Sequence, residues 1–163
     1  MQDPRINSHS KLNCIFGCIQ AAKAGYDEAL MLDPHGHVAT CNSTHFFIVR
    51  DGEVWTSSGD YCLDGITRRN VINVCKANGI PVFEKNFSLM QVYGADEAFV
   101  TGTFAGLTPV FEVDGRTMAR LGRNKMQLSK FGREHSVGRV ADLLGRVDVA
   151  LGVHLLGGEH HAE

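Results

Sequence analysis

The sequence predicts a mixed-sheet α/β domain, on three observations. Strand-like and helix-like stretches alternate irregularly along the 163 residues. Asp51-Gly52 stands between two β-type runs and is the strongest short hairpin signal, and Asp114-Gly115 marks a further turn. Segments of helical period end at glycine. Hairpins interspersed with helices argue for a mixed sheet over a doubly wound parallel one.

Leu12, Ile15, Phe16 and Ile19 follow the i, i+3, i+4, i+7 spacing of an amphipathic helix, with Ser10 as its expected N-cap and Gly25 as its C′ residue. "EALMLD" reads as a short buried strand and "PHGH" as a turn. "VATCNSTHFFIVRDGEVWTS" reads as two strands joined at Asp51-Gly52. Thr67 is expected to open a second helix, "TRRNVINVCKAN", closed by Gly79 with Pro81 just beyond. "PVFEKNFS" and "EAFVTG" read as strands, and "LTPVFEVDGR" as another that turns at Asp114-Gly115. From Thr117 onward the chain changes character and becomes rich in Gly and Arg, with one amphipathic stretch from Val137 to Leu151 and a polar end, "GGEHHAE". The expected organisation is therefore one domain over residues 1–116 and a divergent segment over 117–163.

Composition narrows the function. The chain has 44% hydrophobic and 21% charged residues, values of an ordinary globular protein of one core. A net charge of −2 offers no basic field for nucleic acid. No apolar run is long enough to cross a bilayer, and the start, "MQDPR", is polar. The five cysteines lack paired-ligand spacing, so Cys14 and Cys18 read as small buried apolar residues and no metal site is expected. A reduced, cytoplasmic setting follows as the expectation.

Two loops have the makings of anion holders. In "LDGITRRNV", Gly65 permits a tight turn and places Ile66 and Thr67 at a helix start, where free N–H groups, the positive dipole end and a hydroxyl meet. In "VTGTFAGLTPV", a strand ends in Thr101-Gly102-Thr103, again with N–H groups and hydroxyls where a backbone can approach closely. Taken singly, each also reads as a capped helix or a glycine turn.

"GYDEALMLDPHGHVAT", "FFIVRDGEVWT", "LDGITRRNV", "GIPVFEKNFSL" and "YGADEAFVTGTFAGLTPVFEVDGR" follow one another in the order found in the class IV (fold type IV) pyridoxal-phosphate enzymes. The chain resembles that family from Asp3 to Arg116. The family comprises branched-chain and D-amino acid aminotransferases and aminodeoxychorismate lyases. The resemblance implies the barrel-like large domain of the D-amino acid aminotransferase fold, pyridoxal 5′-phosphate as cofactor, and a homodimer. Carried over by position, it implies that Ile66, Thr67, Gly102 and Thr103 grip the cofactor phosphate and that Leu63 lies against the pyridine ring.

The chain departs from the family pattern at three points. The family lysine that forms a Schiff base with the cofactor falls, on a gapless count from "AGYDEA", at Asn7, and an amide cannot form an imine. Anchoring on Leu12-Asn13 moves the slot to Ser10, one residue from Lys11, so Lys11 is the candidate amine and the two placements stand side by side. In "VATCNSTHFF" the family's V-x-E-G-x-x-x-N places Thr40 where the glutamate beside the pyridine nitrogen is expected, Cys41 at the glycine and His45 at the asparagine. Here His45, next to Phe46, reads as a packed strand residue or as a replacement base. Finally, the small N-terminal domain of the family is expected to be absent and the segment after Arg116 differs, as in a fragment or a reduced paralogue. Three functions fit: a pyridoxal-phosphate aminotransferase or lyase acting on a small, branched-chain-like amino acid, a non-catalytic cofactor- or phosphate-binding partner subunit, and a structural domain with degenerate loops.

Overall fold

A computed structural model describes residues 5–6, 11–103 and 106–118. Helix α1 (Leu12–Lys23) is followed by β1 (Leu30–Leu32), β2 (Val38–Cys41), β3 (His45–Arg50) and β4 (Glu53–Thr56). Helix α2 (Ile66–Ala77) leads to β5 (Val82–Glu84), the short α3 (Leu89–Tyr93), β6 (Glu97–Gly102), β7 (Gly106–Val110), β8 (Glu112–Val113) and β9 (Arg116–Thr117).

Five strands form one sheet in the order β5-β4-β3-β6-β7. The β4–β5 pair is parallel and the other three pairs are antiparallel, so the mixed sheet expected from the sequence is the one observed. The parallel pair is the one whose strands are linked through α2, because antiparallel neighbours can be joined by a turn while a parallel pair needs a crossover. At the β3–β4 turn Asp51 and Gly52 have φ 50° and 84°, the positive values that a tight hairpin demands. Strands β1–β2 and β8–β9 form two further antiparallel pairs.

Alternation along β3 sorts the core into two layers. Phe47 and Val49 face α2 and pack with Val71, Ile72 and Cys75, with Phe99 of β6 stacked on Phe47 at a centroid separation of 4.9 Å. Phe46 and Ile48 face the opposite way, into a cluster with Val38, Phe87, Val92 and Met118. Both long helices end as expected: Gly25 and Gly79 stand at C′, and the Tyr26 and Ile80 amides donate back to the Ala21 and Cys75 carbonyls at 2.9 Å each.

Several elements differ from the sequence expectation. The first strand of the expected pair is two, β2 and β3, broken at Asn42-Ser43-Thr44. The Glu28 carboxylate accepts from the Ser43 amide (2.9 Å) and from the Ser43 and Thr44 hydroxyls (2.6 Å each), and Asn42 Oδ1 accepts from the Ala29 amide (2.7 Å). Small polar side chains bonding locally have displaced the ladder. Helix α2 begins at Ile66, one residue before Thr67. Helix α3 is not among the expected elements; it starts at Ser88, whose amide donates to the Gln91 side chain at 2.9 Å in a capping-box arrangement. "LTPVFEVDGR" is split at Phe111 into β7 and β8. The N-cap position of α1 is Lys11, while Ser10 lies outside the described residues.

Exposure is the larger surprise. The apolar stripe of α1 faces outward, with Leu12 58% and Phe16 64% exposed, and Ile15 and Ile19 exposed as well. Cys14 is half-buried and Cys18 exposed, not buried as expected, because the stripe they flank is uncovered. Strand β1 is likewise only partly covered. At the other end the β8–β9 hairpin carries the fold past position 116, and Met118 is buried in the core. The expected helix over 137–151 and the rest of 119–163 lie outside the described residues, as do Asn7 and the histidines of the tail.

Candidate functional site

A cavity of about 680 Å³ opens between the first turn of α1, strands β1 and β2, the 42–44 turn and the 61–63 loop. Its wall brings together residues singled out from the sequence, Lys11, Thr40, Leu63 and His45 among them, and adds Tyr61. A volume of this size is that of an ordinary small-molecule site. The Thr40 hydroxyl donates to the Thr44 carbonyl at 2.9 Å, so its single proton is committed and its oxygen faces ligands as an acceptor. Cys41, beside it, is buried, and burial together with the Glu28 carboxylate pushes its thiol well above the usual range. It is an inert wall, not a nucleophile.

The other four predicted residues, Ile66, Thr67, Gly102 and Thr103, do not line this cavity. They stand next to it, at the start of α2 and the end of β6. The first backbone bond of α2 runs from the Arg69 amide to the Gly65 carbonyl (3.0 Å), and in an α-helix the amides ahead of that bond have no partner within the helix. Ile66 is 72% exposed at this end, which leaves the turn open to a ligand.

One residue joins the two regions. His45 begins β3, pairs across to Thr101 of β6, and lines the cavity. It shares a strand face with Phe47 and Val49 and so looks toward α2. Its ring lies against Gly65: a Cβ on Gly65 would collide with Nε2 and come within 2.7 Å of Cδ2. Gly65 has φ −75°, which any residue adopts, so it is the approach of His45 that requires glycine. Thr44, next in line, plays the same part for the other loop, since a Cβ on Gly102 would meet its Cγ2 at 3.2 Å. The Thr44-His45 segment thus touches both glycines.

The electrostatics of the junction are set by burial and by Arg68. Burial first, and Arg68 beside it, lower His45 to about 4 against the opposing pull of Asp64, so its imidazole is neutral at ordinary pH. Arg68 is itself 5% exposed and spans from α2 to the Ser57 carbonyl and Glu84, both at 2.8 Å. Its Nε and the hydroxyl of the fully buried Thr101 are without a hydrogen-bond partner among the described residues. Two orphaned polar atoms in one layer are unusual in a folded protein and ask for a ligand or a water.

Sequence reasoning missed Arg68, and named Thr101 only as part of the loop at the end of its strand. It weighed His45 as strand packing or as a base. The signals were present, in the pair "RR" after "GIT" and in a histidine beside two phenylalanines, but neither stretch alone shows what it will face. Among the described residues no cluster of three His, Cys, Asp or Glu is placed to hold a metal ion, and no helix is long and apolar enough to cross a membrane.

The sequence model of the amino-transferase class IV family matches residues 1–113. The chain belongs to that family. A branched-chain-amino-acid aminotransferase of Pseudomonas aeruginosa is 43% identical over 105 residues, which are 64% of this chain and 34% of that protein. A D-alanine aminotransferase of Listeria monocytogenes is 37% identical over 111 residues, 66% of this chain and 38% of the relative. The chain therefore spans little more than a third of the length of these two. Among solved structures, the branched-chain amino acid aminotransferase from Thermobaculum terrenum in its PLP-form superposes with a TM-score of 0.77 at 29% identity, over 93% of this chain and 47% of that one. The Escherichia coli branched-chain amino acid aminotransferase gives 0.71 at 30% identity, over 88% of this chain and 43% of that one. The mixed α/β architecture of this class IV chain is thus that of the family's solved members, of which it covers somewhat less than half.

In this class IV chain the contact between His45 and Gly65 has a measurable cost of disturbance. Gly65→Ala is expected to lower stability by about 1–3 kcal/mol, the range for overpacking a fitted site. The check is a chemical denaturation midpoint that falls at unchanged m-value; no change would mean that the ring swings aside freely.

Proposed function

We propose that this chain is the cofactor-binding part of a pyridoxal 5′-phosphate-dependent aminotransferase that acts on a small, branched-chain-like amino acid. The observation that carries the reading is the junction itself: a cavity walled by Lys11, Thr40 and Leu63 lies directly beside a helix N-terminus with a hydroxyl, linked to it through His45. That arrangement fits a planar ring bearing a phosphate. The Thr101 hydroxyl and Arg68 Nε, buried without a hydrogen-bond partner among the described residues, support an anion at this end. Ile66, Thr67, Gly102 and Thr103 would hold the phosphate, Leu63 the ring face, and Thr40 the ring edge. The group, when bound, supplies an electron sink for the substrate's α-carbon.

The protein's own residues then have definite tasks. The α2 amides and the two threonine hydroxyls bind and orient by charge-assisted hydrogen bonds. Lys11, on the cavity wall, offers the amine. Thr40 can accept a proton-bearing ring nitrogen but, lacking a carboxylate's charge, holds it more weakly than a glutamate would. The names of the related proteins, which act on branched-chain amino acids or D-alanine, support the substrate class. The test is equilibrium binding of pyridoxal 5′-phosphate to the full chain, followed by single-turnover conversion of the bound cofactor by leucine, isoleucine or valine. Failure to bind overturns the reading; binding without conversion overturns the aminotransferase part of it and leaves a carrier subunit.

The assembly proposed is a homodimer. Four apolar residues of one helix face, Leu12, Ile15, Phe16 and Ile19, are exposed together with Ile6 and Leu32. Contiguous apolar surface of that kind marks a contact site. Light scattering at micromolar concentration is expected to give at least twice the monomer mass, and a clean monomer would refute it.

A further inference from the structure

The helix start, the orphaned Thr101 hydroxyl and the His45 ring lie in one layer between β3–β6 and α2. His45 and Thr101 are direct partners across the antiparallel β3–β6 pair, so their side chains share a face, and it is the face of Phe47 and Phe99 that packs on α2. Both therefore stand at the end of the sheet where Gly65 begins the helix. Thr101 is fully buried and its hydroxyl has no partner among the described residues; Arg68, 5% exposed, presents an unpartnered Nε. These buried atoms are an independent sign of a missing ligand, beyond the helix terminus itself.

We propose that His45 is an ionisable wall of this anion seat, and that seating an anion at the first turn of α2 is coupled to uptake of a proton by the His45 imidazole. The inference rests on the phosphate placement proposed above. The charged groups that face the ring are Arg68 of α2, which opposes protonation, and Asp64 of the preceding loop, which favours it. A dianion at the helix start would offset Arg68 and add a second attraction, so the balance moves toward the imidazolium. Protonated, the ring has a donor on each nitrogen, and Nε2 is the ring atom nearest to where a Cβ on Gly65 would stand. The proton comes from solvent and is released when the anion leaves. The ring would thus contribute positive charge to the phosphate from within this chain, in addition to the α2 dipole.

The sign follows from linkage. Without anion His45 titrates at about 4 and is neutral above that. If the anion raises that value, its binding strengthens as pH falls through the raised value toward the free one, and gains nothing further once the free protein is protonated too. Sulfate is the probe, because its charge is constant over this range. With the full chain, the histidine ring resonances followed against pH with and without saturating sulfate should show His45 titrating about two pH units higher when sulfate is bound. That corresponds to a roughly tenfold tightening of sulfate between pH 7 and pH 5. His45→Asn, which keeps a donor but cannot titrate, should bind sulfate with that pH dependence lost. Sulfate-induced shifts at the Ile66 and Thr67 amides with an unmoved His45 titration would overturn the coupling alone. No shifts at those amides at any pH would overturn the seat and the coupling together.

Discussion

Replacing Thr67 and Thr103 together by alanine weakens binding of pyridoxal 5′-phosphate, and of free phosphate, by at least about a hundredfold. Each hydroxyl is expected to give the phosphate one charge-assisted hydrogen bond, worth roughly 1.5–3 kcal/mol, and every 1.4 kcal/mol is about tenfold in affinity. Neither residue props up the fold. Thr67 stands in the first turn of α2 and Thr103 at the end of β6, neither of them in the core, and alanine is the better helix former at position 67. The loss should therefore appear in binding and not in stability. Equilibrium dialysis of the double variant beside its denaturation curve separates the two. Unchanged affinity in a folded double variant would remove both residues from the site, and a fall of the same size for free phosphate would show that the loss lies at the phosphate end.

The parts of the fold that were legible are those fixed by short-range chemistry. The β3–β4 hairpin follows from Asp51-Gly52, and the ends of α1 and α2 from Gly25 and Gly79, because few other residues meet those backbone requirements at low cost. The break between β2 and β3 was not legible, since it depends on Glu28, a residue well upstream, reaching Ser43 and Thr44. Helix α3 is one turn and a half, too short for a period to show. The outward face of α1 teaches a different point: spacing tells which side of a helix is apolar, not what covers it.

The site divides along the same line. Both candidate anion loops stood out in the sequence because glycine with a nearby hydroxyl residue, at the start of α2 in one case and at the end of β6 in the other, is a local pattern. Thr40 and Leu63 were placed by resemblance, and the fold brings them to one cavity with Lys11. The role of His45 could not be read locally. Its partners are Gly65, Thr101 and Arg68, each distant in sequence and assembled only by the β3–β6 register and the packing of α2. Histidine before two phenylalanines looks like core, and core is half of what it is.

Treating the full chain with pyridoxal 5′-phosphate and then borohydride should fix the cofactor to the peptide that carries Lys11, and Lys11→Ala should lose nearly all of that label. Among the described residues Lys11 is the lysine on the cavity wall. Lys23 and Lys76 lie in the last turns of α1 and α2, and Lys85 stacks over Trp55 with Nζ 3.1 Å from the ring centroid. Lys11 also holds the N-cap position of α1, with φ −88° and ψ 46°, so its backbone is fixed by the helix while its side chain stays free to turn inward. A lysine side chain is a long, flexible four-carbon stem, so anchors a few residues apart in the chain can bring the amine to one point. An amine four residues beyond the gapless slot at Asn7 can therefore still serve one ring position. The reverse experiment isolates the slot: Asn7→Lys added to Lys11→Ala should restore the label and move it to the new residue. Label that persists in Lys11→Ala, or maps to another lysine, would assign the amine elsewhere. Restoration by Asn7→Lys combined with an unlabelled wild type would show a cofactor site that has kept its grip and lost its amine.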